Sequence, residues 1–204
     1  MEISINTEKR ARDVIVIGAS AGGIQAVGEI LPRLPATLPA IVGVVIHRGS
    51  RSAVSWATLF ERKTNLRVIE PADGDRLVHG VVYVAPSDRH MIFDGEAVHL
   101  NRGPKEHHTR PAVDPLFTSA ALALGPRVVG VVLTGGGQDG MRGVLAIRAA
   151  RGISLVQKPS EAEYASMPQH AIIGDQVDAV LSLEEISEAL VLLARGSVVK
   201  VSRA

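Results

Sequence analysis

The sequence predicts a doubly wound α/β fold: a mostly parallel sheet with helices on both faces and an antiparallel hairpin attached to it. Three observations carry this expectation. Short β-branched runs at 14–17, 41–46, 66–69, 81–85, 128–133, 153–157 and 178–181 are continuously apolar rather than alternating. Such runs suit strands covered on both faces, as in a parallel sheet. Helical periodicity fills several of the gaps between them. Finally, 204 residues with 46% apolar content can bury one large core, and 3% aromatic content makes that core aliphatic.

The elements follow in order. Val14-Ile15-Val16-Ile17 leads into the tight turn Gly18-Ala19-Ser20-Ala21-Gly22-Gly23. Residues 22–31 carry Ile24, Val27 and Leu31 on one helical face, and Pro32 stops that helix. Residues 53–62 carry Trp56, Leu59 and Phe60 in the same way. Met91-Ile92-Phe93 and Ala97-Val98-His99-Leu100 flank Asp94-Gly95, a hairpin turn signal. The polar, basic, His-rich stretch from Asn101 to Pro111 reads as a loop. Asp114-Pro115 reads as an N-cap followed by proline at the first helical position, and Gly125-Pro126 closes that helix. Residues 140–150 run as a helix from the Asp139-Gly140 turn to a stop at Gly152. Ser182 and Glu185 form a capping-box pattern ahead of Ile186, Leu190 and Leu193, with Gly196 beyond. One domain is expected over 13–196, between an N-terminal segment, 1–12, and a C-terminal tail, 197–204.

Composition excludes several classes of function. The 22 basic and 21 acidic residues give a net charge of +1, which argues against a nucleic-acid or anionic-membrane partner. The absence of cysteine excludes disulfides, thiolate zinc sites and cysteine nucleophiles. No apolar run is long enough to span a membrane, and the polar residues 1–13 are unlike a signal peptide. A soluble cytoplasmic protein is expected.

The turn after 14–17 fits G-x-S-x-G from Gly18, the nucleophile-elbow pattern. Glycine-rich strand-to-helix turns also cradle phosphates, and some only reverse the chain. Catalytic serine, nucleotide loop and plain turn are therefore all open from this run alone. Two further residues favour the first. His47 closes the strand 41–46, and Asp139 follows the strand 128–133 within Thr134-Gly135-Gly136-Gly137-Gln138-Asp139-Gly140. Chemistry in such sheets collects at the carboxyl ends of strands. Ser20, His47 and Asp139 then share one edge, as a Ser-His-Asp triad requires. Glycines 135–137 offer backbone N–H groups suited to an oxyanion hole. A lone strand-end histidine is more often a rim residue, and Asp-Gly is more often a turn, so the joint placement carries the reading. His90 and the pair His107-His108 show no carboxylate or further histidine at ligand spacing, so no metal is expected, and the chemistry calls for no cofactor.

These residues resemble the catalytic domain of the chemotaxis receptor methylesterases, the CheB family. The likeness runs over roughly residues 12–195 through ordered motifs: Val16-Ile17-Gly18-Ala19-Ser20-Ala21-Gly22-Gly23, Gly80-Val81-Val82-Tyr83-Val84-Ala85-Pro86, Arg110-Pro111-Ala112-Val113-Asp114-Pro115-Leu116-Phe117, Val132-Leu133-Thr134-Gly135-Gly136-Gly137-Gln138-Asp139-Gly140 and Ser166-Met167-Pro168. The resemblance implies a seven-stranded, mostly parallel sheet with an antiparallel hairpin. It implies hydrolysis of glutamate γ-methyl esters on chemoreceptor cytoplasmic helices, and glutamine deamidation in many members. Its nucleophile falls on Ser20, its base on His47 and its orienting acid on Asp139, with oxyanion N–H groups at Ala21 and Gly136. The chain departs from the family where Ala21 replaces threonine, where Ile46-His47-Arg48 replaces Gln-His-Met, and where Gly136 and Gln138 replace Met and Asn. Arg48 alters the charge at the expected mouth of the site and is a candidate substrate contact. Typical family members carry an N-terminal receiver domain, whereas only a short segment precedes the first strand here, as in a stand-alone form or an excised domain.

Two other readings stand beside the esterase. One is an NADP-binding Rossmann-type oxidoreductase, for which Arg48 would meet a 2′-phosphate. No Asp or Glu ends the second strand, however, and neither Tyr83 nor Tyr164 has a lysine four residues on. The other is a weakly active chemosensory interaction module that keeps the fold, suggested by Gly136 and Arg48.

Overall fold

The computed structural model describes residues 2–5, 8–48, 55–173 and 177–202. Its strands are β1 (Glu2–Ile5), β2 (Val14–Ala19), β3 (Ile41–Ile46), β4 (Arg67–Ile69), β5 (Val81–Val84), β6 (His90–Phe93), β7 (Val98–Asn101), β8 (Val128–Val132), β9 (Ile153–Gln157), β10 (Ala179–Leu181) and β11 (Val199–Ser202). Its helices are α1 (Gly23–Ile30), α2 (Trp56–Glu61), α3 (Val113–Leu124), α4 (Met141–Ala149), α5 (Ser166–Ile172) and α6 (Leu183–Ala194). One seven-stranded sheet runs in the order β10-β9-β8-β2-β3-β5-β4, with every pair parallel.

The continuous apolar runs have the predicted cause. Val14, Ile15, Val16 and Ile17 of β2 are all fully buried because side chains on both faces are covered. Ile15, Ile17 and Ala19 point into one core, roofed by α1, α2 and α6. Val14 and Val16 point into the other, beneath α3, α4, α5 and the β6–β7 hairpin. The sheet is thus wound on both faces. The direction of winding reverses at β2, whose neighbours are β3 on one side and β8 on the other. Such a switch point opens a crevice at the carboxyl ends of the strands.

Several expectations change in detail. The hairpin is present, but β6 and β7 pair only with each other and add no strand to the sheet. Phe93 of β6 instead packs edge-on against Tyr83, with ring centroids 6.0 Å apart. Asp114 is not an N-cap. That position belongs to Ala112, and Asp114 is the second residue of α3. The reason is tertiary: the Asp139 carboxylate supplies the acceptor that a local cap would have supplied. The Ser182–Glu185 capping box forms as the pattern requires. The short α5 was not anticipated, nor was the antiparallel pairing of β1 with β11, which joins the two terminal segments. Residues 53 and 54 of the helix expected over 53–62 lie outside the described residues; the helix runs from Trp56 to Glu61.

The α3–α4 contact depends on a glycine. A Cβ on Gly143 would stand 2.3 Å from the Cβ of Phe117, an atom fixed to the backbone of α3. Gly143→Ala should therefore destabilise the protein by about 1–3 kcal/mol through overpacking, despite the better helix propensity of alanine. Differential scanning calorimetry checks this, at about 2–4 °C of melting temperature per kcal/mol for a chain of this size. An unchanged or higher midpoint would show that the two helices can move apart freely.

Candidate active site

Three consecutive strands of the sheet deliver the predicted residues to one edge. Ser20 follows β2, His47 follows β3, and Asp139 lies in the loop between β8 and α4. The ring of His47 bridges the other two. Its Nδ1 lies 3.1 Å from Ser20 Oγ and its Nε2 lies 2.6 Å from Asp139 Oδ2. With Asp139 ionised, the Nε2–H donates to the carboxylate and leaves Nδ1 free to accept from the serine hydroxyl. The His47 side chain is 11% exposed and that of Asp139 only 1%, so solvent reaches the serine end of the chain and not the acid.

Backbone geometry holds the serine in place. The Ser20 N–H donates to Thr134 O at 3.0 Å, which ties the β2 turn to the loop after β8. The His47 N–H donates to Ala19 O at 3.0 Å and anchors the imidazole-bearing residue beside it. The glycine loop can approach only because position 135 lacks a side chain: a Cβ there would stand 2.7 Å from the Cβ of Ser20. The Gly135 N–H is already donated to Tyr164 O. The N–H groups of Ala21 and Gly136, the expected oxyanion donors, reach no acceptor among the described residues. Gly136 is exposed, with open space where a side chain would be.

Asp139 is fastened from behind. Its Oδ2 also accepts the Val113 N–H at 2.6 Å, and its Oδ1 accepts the Asp114 N–H at 3.0 Å, both from the first turn of α3. An anion at a helix N-terminus is favoured by the orphan N–H groups and by the macrodipole. Burial alone would raise the Asp139 carboxyl. The hydrogen bonds from His47, Val113 and Asp114 outweigh it and hold the carboxyl below its usual range.

Several residues prove important that strand-end reasoning had passed over. Asp114 returns the favour to α4, accepting the Gly143 N–H at 2.8 Å and Arg142 Nε at 3.1 Å. Thr134 is buried and donates through Oγ1 to Ala21 O, while its N–H donates to Gln157 Oε1 at 2.8 Å. Thr134 and Gln157 are polar residues at the carboxyl ends of buried strands, the signal that had picked out His47, and so could have been found. His107 meets Asp114 at 3.1 Å although nothing in the sequence spacing links them. His107, Asp114 and Asp139 offer ligand atoms within 4.8 Å of one another. Yet their carboxylate oxygens already accept His47, Arg142 and three backbone N–H groups, which describes a charge-compensated hydrogen-bond cluster rather than a cation cage.

One sequence reading is corrected. Arg48 does not face the mouth of the site. Its Nη2 donates to Glu70 and to Ala85 O, and its guanidinium stacks 4.8 Å from the centroid of the Trp56 ring. Its side chain is 3% exposed, so it is committed to the interior. His90 is a buried strut that meets Pro104 O through Nε2 and the Ala112 N–H through Nδ1.

Comparison with known proteins identifies the family. The sequence profile of the CheB methylesterase family matches residues 15–190. A protein named protein-glutamate methylesterase/protein-glutamine glutaminase 2 from Pseudomonas aeruginosa is 40% identical over 199 residues, covering 95% of this chain and 56% of that protein. The Pyrococcus abyssi protein named protein-glutamate methylesterase/protein-glutamine glutaminase is 38% identical over 185 residues, covering 89% of this chain and 50% of its own length. The chain thus spans about half the length of these two relatives, whereas it covers 94% of a Leptospira interrogans relative that is 37% identical over 182 residues. The crystal structure of the Thermotoga maritima CheB methylesterase catalytic domain superposes with a TM-score of 0.84 at 31% identity, covering 88% of this chain and 97% of that one. The chain belongs to the CheB methylesterase family.

Because both Asp139 oxygens accept backbone N–H groups, Asp139→Asn forces an amide NH2 against a buried donor. The expected loss of stability is about 1–3 kcal/mol at neutral pH. The sign of its pH dependence follows from the lowered carboxyl. The contribution is complete above the unfolded carboxylate value, near pH ~4, and disappears as pH falls through the lower folded value. Urea unfolding of both proteins at neutral and acid pH checks this. The stability gap should shrink in acid, and a constant gap would show that the charge of Asp139 contributes nothing.

Proposed function

We propose that this chain is a protein-glutamate methylesterase, hydrolysing glutamate γ-methyl esters on the cytoplasmic helices of chemoreceptors with Ser20 as nucleophile. The observation that carries this reading is the unbroken hydrogen-bonded chain from Ser20 through His47 to Asp139. Membership of the family and the names of its relatives support the substrate class. The nucleotide reading had two motives, the glycine turn that opens α1 and Arg48; the second is lost, because Arg48 is turned into the protein.

The steps follow from the geometry. Ser20 Oγ attacks the ester carbonyl carbon while His47 Nδ1 takes the hydroxyl proton. Asp139 stays ionised and stabilises the imidazolium through Nε2–H. The carbonyl oxygen, now negative, takes hydrogen bonds from the Ala21 and Gly136 N–H groups, close to the positive end of α1. Collapse of the tetrahedral intermediate expels the methoxy group, which leaves as methanol with the proton from His47. Water then attacks the acyl-serine as His47 accepts its proton; the acyl–Oγ bond breaks, His47 returns the proton to Ser20 Oγ, and the free glutamate carboxylate departs. A glutamine side chain entering the same cycle would release ammonia in place of methanol.

The decisive experiment measures methanol released from a methylated chemoreceptor by the purified chain, beside covalent labelling with a serine-directed phosphonate. Ser20→Ala should abolish labelling and slow turnover by roughly 10³-fold or more with the fold intact. A Ser20→Ala protein that keeps a tenth of the wild-type rate would remove Ser20 from the chemistry.

A further inference from the structure

His107 stands at the tip of a tight turn closed by two backbone hydrogen bonds, Glu106 N–H to Thr109 O at 3.1 Å and Thr109 N–H to Glu106 O at 2.8 Å. Both tip residues are left-handed, with φ of 48° at His107 and 64° at His108. Two-residue turns of this kind select Asn and Gly, because other side chains crowd the backbone when φ is positive. Turn chemistry therefore disfavours a histidine at position 107. The turn does, however, aim its ring: Nε2 lies 3.1 Å from Asp114 Oδ2 and 3.9 Å from Asp139 Oδ1. Strained backbone at a site of charge is a reason to look for function.

The charges around this ring define the problem that it solves. Asp114 faces it from α3 and Asp139 from the loop ahead of α4, two carboxylates buried side by side. Arg142 faces it from α4 through Asp114, and also pairs with Glu106 at the base of the turn. Adjacent buried carboxylates raise one another's affinity for protons. Asp139 can stabilise a charged His47 only while it is itself ionised. Of the two side chains that face the pair, that of Arg142 is 61% exposed and screened by water, whereas that of His107 is 28% exposed and stands 3.9 Å from Asp139.

We infer that His107 is a positioning residue of the site: its ring, aimed by the left-handed turn, faces the Asp114–Asp139 pair and offsets the negative potential that the pair presents to His47. The inference rests on the esterase reading above. Removing the ring leaves the potential around His47 more negative, so the acid limb of the activity profile should lie at higher pH in the variant than in the wild type. The base is then lost earlier as pH falls. The sign is the same whether the His107 ring is neutral, presenting its N–H dipole, or cationic.

The test uses His107→Asn and His107→Gly, both tolerant of left-handed backbone. The pH profile of kcat/KM toward p-nitrophenyl acetate and the thermal midpoint are measured for each, with wild type and Ser20→Ala alongside. The acid limb should move up by about half a pH unit while the midpoint holds or rises, because the turn is relaxed. An acid limb that stays in place in both variants, beside an inactive Ser20→Ala protein, overturns this inference alone. So does a limb that moves only together with a fall in midpoint, the mark of a merely structural residue. A Ser20→Ala protein as active as wild type overturns the esterase reading and this inference with it.

Discussion

Both oxygens of a single buried carboxylate, Asp139, are spoken for, and much of the rest of the structure is arranged around that fact. One oxygen accepts His47 and the Val113 N–H, and the other accepts the Asp114 N–H. The group that orients the imidazole is therefore also the cap of α3. The geometry of the candidate site and the docking of the helix draw on the same hydrogen bonds, so neither can be altered without the other. This differs from an acid that merely stands behind a histidine. Here its orientation is imposed by a helix end, before any substrate binds.

The arrangement is reciprocal. Asp139, ahead of α4, caps α3, and Asp114, within α3, accepts the Gly143 N–H of α4. Each helix supplies the acceptor that the other lacks. Neither helix needs a local capping side chain, and neither has one. Close approach follows from the crossed caps, and Gly143 meets it by having no Cβ to strike Phe117. The packing of α3 on α4 thereby sets where Asp139 sits relative to His47.

What was legible in the sequence was what local pattern controls. Buried β-branched runs located the sheet because both of its faces are covered, and Ser20, His47 and Asp139 could be read as neighbours because each ends or follows such a run. What stayed hidden was decided by contacts between distant segments. Asp114 looks like a cap in its own sequence window, and only the arrival of Asp139 frees it for α4. Arg48 looks like a mouth residue beside His47 until Glu70, Ala85 and Trp56 draw it inward. His107 meets its carboxylates only once the turn at Glu106–Thr109 folds against α3. The pairing of Glu2–Ile5 with Val199–Ser202 joins opposite ends of the chain, beyond the reach of any window.

Ser20 and His47 directly follow the adjacent central strands β2 and β3, and Asp139 lies in the loop that leaves their neighbour β8; the three strands are locked in step by pairs such as Ala19 with Ile46 and Gly18 with Val132. A strand advances about 3.3 Å per residue. The hydrogen bonds at issue are 3.1 and 2.6 Å long. A slip of one residue between any two of these strands would exceed the whole length of the contact that it feeds, and would turn every side chain of the slipped strand to the opposite face. The site thus works as a vernier on the middle of the sheet, complete in one alignment and absent in all others. Lengthening or loosening the three-residue outer strands β4 and β10 leaves that alignment untouched, so the periphery is free to vary while the centre is not.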